Sequence, residues 1–208
     1  AAFEGEDDVA TVNGLPHLPM ERSALMQPGG GKMFGCLIAR DREGTEHRVF
    51  AFSGMLGGRW RWPGWAEPCF DVAQWRELEA RYDPEIATLT RRLVAKGPDR
   101  ELEAERAAKS RALMARYHAL YELRGASGVA RSLESIVGPG RMMSGMGDCC
   151  APKLLTHARR RGWEPLSLTE FFVGTSRRPG QREHGRGYPP CEDKCGPLLD
   201  FLLCPRAS

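Results

Sequence analysis

The sequence lacks a long apolar run. Hydrophobic residues make up 41% of the 208 residues, but no uninterrupted apolar stretch approaches the roughly 20 residues that a membrane-spanning helix needs. No N-terminal signal or transit segment is recognisable, and no internal repeat is evident. We therefore expect a soluble protein without a membrane-spanning segment, long enough to bury a core as one domain.

A strong excess of charge of one sign is also missing. The chain has 30 Lys and Arg residues against 27 Asp and Glu residues, a formal net charge of +3. This balance argues against a protein whose whole surface attracts polyanions. Basic stretches therefore have to be judged one by one.

Two basic stretches predict contacts with RNA. The sequence HARRRG contains Arg159, Arg160 and Arg161, and the sequence SRRPGQREHGRG contains Arg177 and Arg178. Arginine contacts phosphates and stacks on bases, so both stretches are candidate RNA-binding segments near the thiols described below. Arginines at a helix end also complement the helix dipole without any partner, and this alternative stays open.

An evenly spaced disulfide framework is the third feature that the sequence lacks. The seven cysteines are an odd number, and four of them form an adjacent pair, Cys149 and Cys150, and a C-x3-C pair, Cys191 and Cys195. Such clustering resembles metal-ligand spacing more than a disulfide scaffold, and it favours a reducing intracellular compartment, the cytoplasm or an organelle interior. The other three are expected to act as small buried apolar residues: Cys36, Cys69 and Cys204.

The pattern of apolar and turn residues predicts a small α/β domain, with α+β as the alternative. Prolines and a Gly-Gly-Gly run predict an extended arm over residues 1–32, followed by a single domain over residues 33–204. The segments MFGCLIAR and EHRVFAFSGML flank the polar sequence DREGT and predict a β-hairpin. The domain thus begins with a hairpin that starts the sheet.

Helices dominate the rest of the chain. A helical insertion is expected at about residues 71–123, with Asp71 as a cap and a break and restart at Asp83-Pro84. A helix of about ten residues then starts at the cysteine pair, EPLSLTEFFVG predicts a strand, and a short helix follows Gly196-Pro197. The expected order is hairpin, helical insertion, helix, strand, helix.

The clustered cysteines predict a zinc site. Zinc prefers thiolate and imidazole ligands in a tetrahedron, and Cys191 and Cys195 can supply two corners. Adjacent side chains point in different directions, so Cys149 and Cys150 are alternatives for the third corner, and His184 is the candidate for the fourth. Buried or redox-active thiols without metal are the competing interpretation.

The segment GGRWRWPGWAEPCFD interleaves three tryptophans with arginines. Aromatic rings beside arginines can stack on unpaired bases, which would make this segment a nucleic-acid contact. The interpretation that we favour is a loop whose tryptophans cover the edge of the core: Trp60, Trp62 and Trp65.

Long motifs resemble a known family. The segment GMGDCCAPKLLTHARRRGWEPLSLTEFFVG, then His184 and YPPCEDKCGPLLDFLL, resembles the N-terminal accessory region of some bacterial RluA-like RNA pseudouridine synthases. The hairpin sequence resembles the start of the same region, so the resemblance covers residues 31–203. The catalytic domain of those synthases, with its aspartate nucleophile, has no counterpart in this chain. The resemblance therefore implies an accessory role.

A more distant resemblance is to the zinc-dependent cytidine-deaminase fold. That fold pairs a helix-starting H/C-A-E motif with P-C-x2-C at the next helix, and Cys150-Ala151 and Pro190-Cys191 to Cys195 fall in the same order here. Pro152 replaces the glutamate that shuttles protons, and the second motif has gained a residue. The resemblance implies a deaminase-like fold with a degenerate zinc site that lacks the catalytic glutamate.

Three functions remain open. The first is a noncatalytic or degenerate zinc-site module that binds RNA or a larger protein assembly. The second is an active metal-dependent nucleobase deaminase or hydrolase, in which Asp148 or Lys153 replaces the missing glutamate. The third is a structural subunit of an organellar complex. The start Ala-Ala-Phe resembles the processed ends of some algal plastid proteins, so a plastid is one candidate organelle.

Overall fold

The computed structural model describes residues 20–178 and 180–205. Eleven helices and strands follow one another in this part of the chain: α1 (Arg22–Met26), β1 (Lys32–Arg40), β2 (Glu46–Phe52), α2 (Val72–Lys96), α3 (Arg100–Ala119), β3 (Glu122–Arg124), β4 (Ala130–Ser132), α4 (Leu133–Val137), α5 (Cys150–Arg160), β5 (Glu164–Val173) and α6 (Gly196–Leu203). The described residues contain no helix that is both long and apolar enough to cross a membrane.

A three-stranded antiparallel sheet in the order β2-β1-β5 forms the centre of the fold. The expected hairpin is confirmed as β1 and β2. Its turn is held by Asp41, whose carboxylate accepts hydrogen bonds from the backbone N–H groups of Glu43 and Thr45 at 3.0 and 2.8 Å. Gly44 takes a positive φ of 87°, which glycine adopts without steric cost.

Helix α5 lies against this sheet because its apolar residues fall on one side. Leu154, Leu155 and Ala158 are buried in the main core together with residues of β1 and α6. The helix approaches β1 closely at Gly35, where an added Cβ would lie only 2.7 Å from the Cβ of Cys150. The missing side chain of Gly35 therefore allows the start of α5 to approach the sheet.

The expected helical insertion is confirmed as a hairpin of α2 and α3. The carboxylates of Asp71 and Asp99 accept N–H groups in the first turns of the two helices. The expected break at Asp83-Pro84 is wrong, because α2 continues through Pro84. Proline removes one backbone donor, but Ala80 and Pro84 are exposed, so water can hydrogen-bond the carbonyl that loses its partner.

The described end of the expected arm is partly helical and packed. Residues 22–26 form α1, and the side chain of Leu25 is buried in a second apolar cluster with Phe34 and Val173. The carbonyl of Leu25 also accepts the backbone N–H of Thr175 at 2.9 Å. This segment therefore differs from the extended arm that its prolines and glycines predict. Residues 1–19 lie outside the described part.

The expected fold class is confirmed, since a small antiparallel sheet is combined with a helical insertion and a helix-strand-helix unit. Helix α5 is followed directly by strand β5 and packs against it. Helix α6 packs beside α5 through Leu198 and Leu202. The starts of α5 and α6 both carry cysteines. The fold thus brings two distant cysteine motifs together.

Candidate metal centre

Three cysteine thiols form one cluster in the described residues. The Sγ atoms of Cys149, Cys191 and Cys195 all lie within 4.8 Å of one another. The Cys149–Cys191 distance is 4.0 Å and the Cys191–Cys195 distance is 3.6 Å. Thiolates bonded at about 2.3 Å to a tetrahedral zinc ion lie about 3.8 Å apart, so the spacing of these atoms fits one metal ion.

The backbone explains why Cys149 belongs to the cluster and Cys150 does not. Cys149 is the N-cap of α5 with extended φ and ψ of −69° and 167°, whereas Cys150 is the first helical residue. The thiol of Cys150 points to the sheet, 3.4 Å from the carbonyl oxygen of Met33 and 3.7 Å from that of Ala51. Of the two alternatives, only Cys149 faces the other thiols.

The C-x3-C pair is positioned by a single helical turn before α6. The backbone N–H groups of Cys195 and Gly196 both donate to the carbonyl oxygen of Cys191 at 3.0 Å. In a helical turn, residues four apart lie on the same face. The three intervening residues therefore place the Cys191 and Cys195 thiols side by side.

His184 lies outside the thiol cluster. Its Nδ1 accepts the backbone N–H of Gly174 at 3.0 Å, which fastens the loop after β5 to the end of that strand. The structure thus brings together three of the five candidate ligands, and His184 and Cys150 are not among them.

Within the cluster, Cys149 is the thiol that loses its proton more readily than Cys195. Hydrogen bonds from Cys195 and, less strongly, from Cys191 hold the pKa of Cys149 below its usual value, although burial opposes this. The pKa of Cys195 is raised, first by its hydrogen bond to Cys149 and then by burial. A cation bound among these three thiols would favour their deprotonated, thiolate form.

Glu170 is a buried carboxylate that the sequence reasoning missed. Its side chain is 6% exposed, and its Oε1 accepts the backbone N–H of Ala151, in the first turn of α5, at 2.7 Å. Burial raises the pKa of Glu170, and the Ala151 hydrogen bond partly opposes that rise. The available sequence signal was an isolated acid at the start of the apolar run FFV in β5.

Asp148 and Lys153, the two candidate replacements for a catalytic glutamate, are engaged elsewhere. Asp148 accepts the Tyr121 hydroxyl at 2.5 Å, and burial raises the pKa of its carboxyl. The ammonium group of Lys153 donates to the carbonyl oxygens of Phe52 and Gly54 at 3.0 and 2.9 Å. Both side chains thereby tie the start of α5 to its neighbours.

The two arginine segments lie at opposite ends of the fold. The first turn of α5 contacts Glu170, near the end of β5, whereas Arg159, Arg160 and Arg161 follow at the other end of this 11-residue helix, about 16 Å away. Arg177 and Arg178 come just after β5, at the end that carries the thiols. The expectation that both segments lie near the thiols therefore holds only for Arg177 and Arg178.

The tryptophan segment mainly covers the core. Trp60 and Trp65 are buried, while Trp62 is half-buried and donates its indole N–H to the carbonyl oxygen of Leu56 at 3.0 Å. The guanidinium of Arg59 lies 4.8 Å from the centre of the Trp62 ring. The favoured interpretation is thus correct for two of the three rings, and Trp62 keeps an accessible surface.

His157 makes the stability of the domain depend on pH. Burial, assisted by the charges of Arg161 and Arg160, lowers the pKa of His157 to about 4. The unfolded chain binds a proton near pH 6.5 and the folded chain only near pH 4, so this contribution is complete above pH 6.5 and is lost as the pH falls towards 4. Because His157 is partly exposed, we expect a loss of about 1 kcal/mol.

Urea unfolding between pH 7.5 and pH 4, in the presence of a chelator, measures this loss. The His157→Gln variant should lose less stability than the parent over the same range, because it has no imidazole to protonate. Equal slopes for the two proteins would show that His157 does not carry the effect.

Comparison of the chain with models of protein families, with curated proteins and with solved structures found no match in any of the three.

Proposed function

We propose that the chain is a noncatalytic zinc-bearing module, related to the accessory region of RluA-like pseudouridine synthases, that binds RNA or a larger assembly. The observation that supports this proposal is the cluster of three thiols contributed by two segments 42 residues apart. Cys149, Cys191 and Cys195 would hold the ion. A zinc ion there would join the start of α5 to the turn before α6, and its binding free energy would stabilise the fold.

The residues on either side of Cys149 and Cys150 support the noncatalytic role. With Cys149 as the ligand, the residue two positions later is Ala151, and its side chain has no proton to exchange. Asp148 is bound to Tyr121, so its position is already fixed by a structural hydrogen bond. Hydrolytic deamination needs a positioned acid and base, typically worth about 10² to 10⁴ in rate. Ala151 has no titratable group and Asp148 is already hydrogen-bonded to Tyr121, so neither residue supplies this acid or base.

Glu170 favours a second candidate, a metal-dependent hydrolase or nucleobase deaminase. Zinc bound to three protein ligands supplies Lewis-acid activation of water. Glu170 brings a buried carboxylate to the first turn of α5 from strand β5 instead of from the helix. Burial raises the pKa of Glu170, which is the direction in which a general acid is tuned.

One assay separates the two candidates. The zinc-loaded chain is incubated with cytidine, single-stranded RNA and single-stranded DNA, and deamination is measured for the parent, Glu170→Gln and Asp148→Asn. We expect no zinc-dependent turnover from any of the three proteins. Turnover by the parent that Glu170→Gln removes without releasing zinc would establish the hydrolase and contradict the noncatalytic proposal.

A further inference from the structure

A basic and aromatic groove lies at the end of α5 that is remote from the thiols. It has a volume of about 560 Å³ and lies between strand β2, the tryptophan segment and the connection from α5 to β5. Its lining includes three arginines and two partly exposed tryptophans: Arg48, Arg61, Arg161, Trp62 and Trp163. None of the cysteine ligands contributes to it.

The centre of the groove is a rigid pair of rings. His47 and Trp163 are stacked in parallel planes, 1° apart in angle, with centres separated by 4.0 Å. Asp41 fixes the imidazole through a 2.7 Å contact between its carboxylate and Nε2 of His47. The indole of Trp163 is therefore held in one orientation before any ligand arrives, which reduces the entropy cost of binding a flat ring beside it.

A second concavity adjoins the groove at this pair of rings. This concavity of about 580 Å³ shares His47, Arg161 and Trp163 with the first, and adds Arg42 and Arg159. The Nε atom of Arg159 is buried without a hydrogen-bond partner among the described residues. The two cavities share His47, Arg161 and Trp163, so they adjoin each other at the ring pair.

Charges in the two adjoining concavities favour an anionic ligand. Six arginines line the two concavities, against the three carboxylates of Asp41, Glu43 and Glu67. Asp41 contacts His47, and Glu67 forms an ion pair with Arg61. Arg48 and Arg161 are exposed and carry the positive charge next to the rings.

We propose that this groove binds single-stranded nucleic acid. Arg48 and Arg161 contact successive phosphates, and a base packs against Trp163 or Trp62. Unpaired strands are favoured because only a splayed base exposes its face to an aromatic ring, and such stacking is worth about 1–3 kcal/mol per base. This inference rests on the RNA-binding part of the proposed function and does not depend on the zinc site.

Fluorescence anisotropy with labelled oligonucleotides of about 12 nucleotides tests the proposal. The probes are single-stranded RNA, single-stranded DNA and duplex RNA, each at several salt concentrations. The parent should bind both single strands more tightly than the duplex. The double variant Arg48→Gln, Arg161→Gln should weaken binding of the single strands by roughly 10-fold or more. It should also reduce the magnitude of the negative slope of log K against log salt by about 1.4.

The chain offers a matched control for the loss of charge. The double variant Arg177→Gln, Arg178→Gln removes the same charge at the opposite end of β5 and should keep the parent's affinity. The single variant Trp62→Leu should weaken the single-strand complexes and leave the salt slope unchanged. Equal losses in the two double variants, loss in the control alone, tighter binding of the duplex, or no binding of any probe at low salt would overturn the proposal.

The zinc-free Cys191→Ser variant separates this inference from the proposed zinc site. It should bind the single strands as the parent does, since the groove lies about one helix length from the thiols. Oligonucleotide binding by a parent chain that takes up no zinc would leave the groove established and the zinc site refuted. A parent chain that retains zinc but binds no oligonucleotide would leave the zinc site established and the groove proposal refuted.

Discussion

Replacement of Cys191 by serine is expected to abolish stoichiometric zinc binding. Cys191 is one of the three clustered thiols, 4.0 Å from Cys149 and 3.6 Å from Cys195, so its loss leaves an incomplete ligand set. A serine hydroxyl is a poor substitute, because zinc takes deprotonated sulfur, imidazole or carboxylate ligands. The measurement is metal content after dialysis, with thermal unfolding of the same samples to detect the lost stabilisation.

The chain provides two cysteine controls for this prediction. Cys150→Ala removes the thiol adjacent to Cys149 but outside the cluster. Cys204→Ser removes a thiol beyond α6 that is exposed, so its expected burial is wrong. Both variants should keep the parent's zinc content. Loss of zinc from Cys150→Ala, with retention in Cys149→Ser, would show that the ligand assignment at the start of α5 is wrong.

Replacement of Gly35 by alanine is expected to destabilise the domain by about 1–3 kcal/mol. The added Cβ would lie 2.7 Å from the Cβ of Cys150, 2.9 Å from Cδ1 of Leu154 and 3.4 Å from the carbonyl oxygen of Thr169. Helix α5 would have to move away from β1, which also disturbs Cys149 at its start. The gain in strand propensity, roughly 0.5–1 kcal/mol, does not offset this overlap.

Gly196→Ala is the matched control for Gly35→Ala. A Cβ at Gly196 meets no atom within 4 Å, and this residue does not need a positive φ. Urea unfolding of the metal-free proteins should therefore show a loss of stability for Gly35→Ala and little change for Gly196→Ala. Equal stability of both variants and the parent would contradict the close approach of α5 to β1.

The sequence predicts those elements whose local signals agree. The two segments that flank the DREGT turn locate β1 and β2, and the Asp71 cap locates the start of α2. Helix α5 has 11 residues, close to the expected ten, and Gly162 follows it with a φ of 70°. These features depend on a few neighbouring residues, and for that reason they are readable without tertiary contacts.

Tertiary contacts decide the features that the sequence does not predict. Pro84 normally ends or bends a helix, but α3 packs along both halves of α2, through the stacked rings of Trp75 and Tyr117 and the Lys109–Glu85 ion pair. Leu25 gives no local signal of burial in an arm rich in glycine and proline. Its position follows from contacts with the distant end of β5.

The candidate site was predictable in residue type but not in detail. Thiol clustering points to Cys191 and Cys195, whereas the choice of Cys149 depends on the dihedral angles of one N-cap. His184 is near Cys191 in sequence, yet its imidazole is used to hold the backbone of Gly174. Glu170 approaches α5 only because β5 returns beside it, 19 residues later.

X-ray absorption spectroscopy at the zinc edge of the full chain tests the central claim most directly, because it counts the sulfur atoms bound to the metal. The geometry of Cys149, Cys191 and Cys195 predicts three sulfur neighbours at about 2.3 Å and a lighter atom in the remaining position. Cys191→Ser should lack this signal, and Cys150→Ala should keep it. A zinc ion surrounded only by nitrogen and oxygen, or a purified protein that takes up no zinc, would contradict the claim.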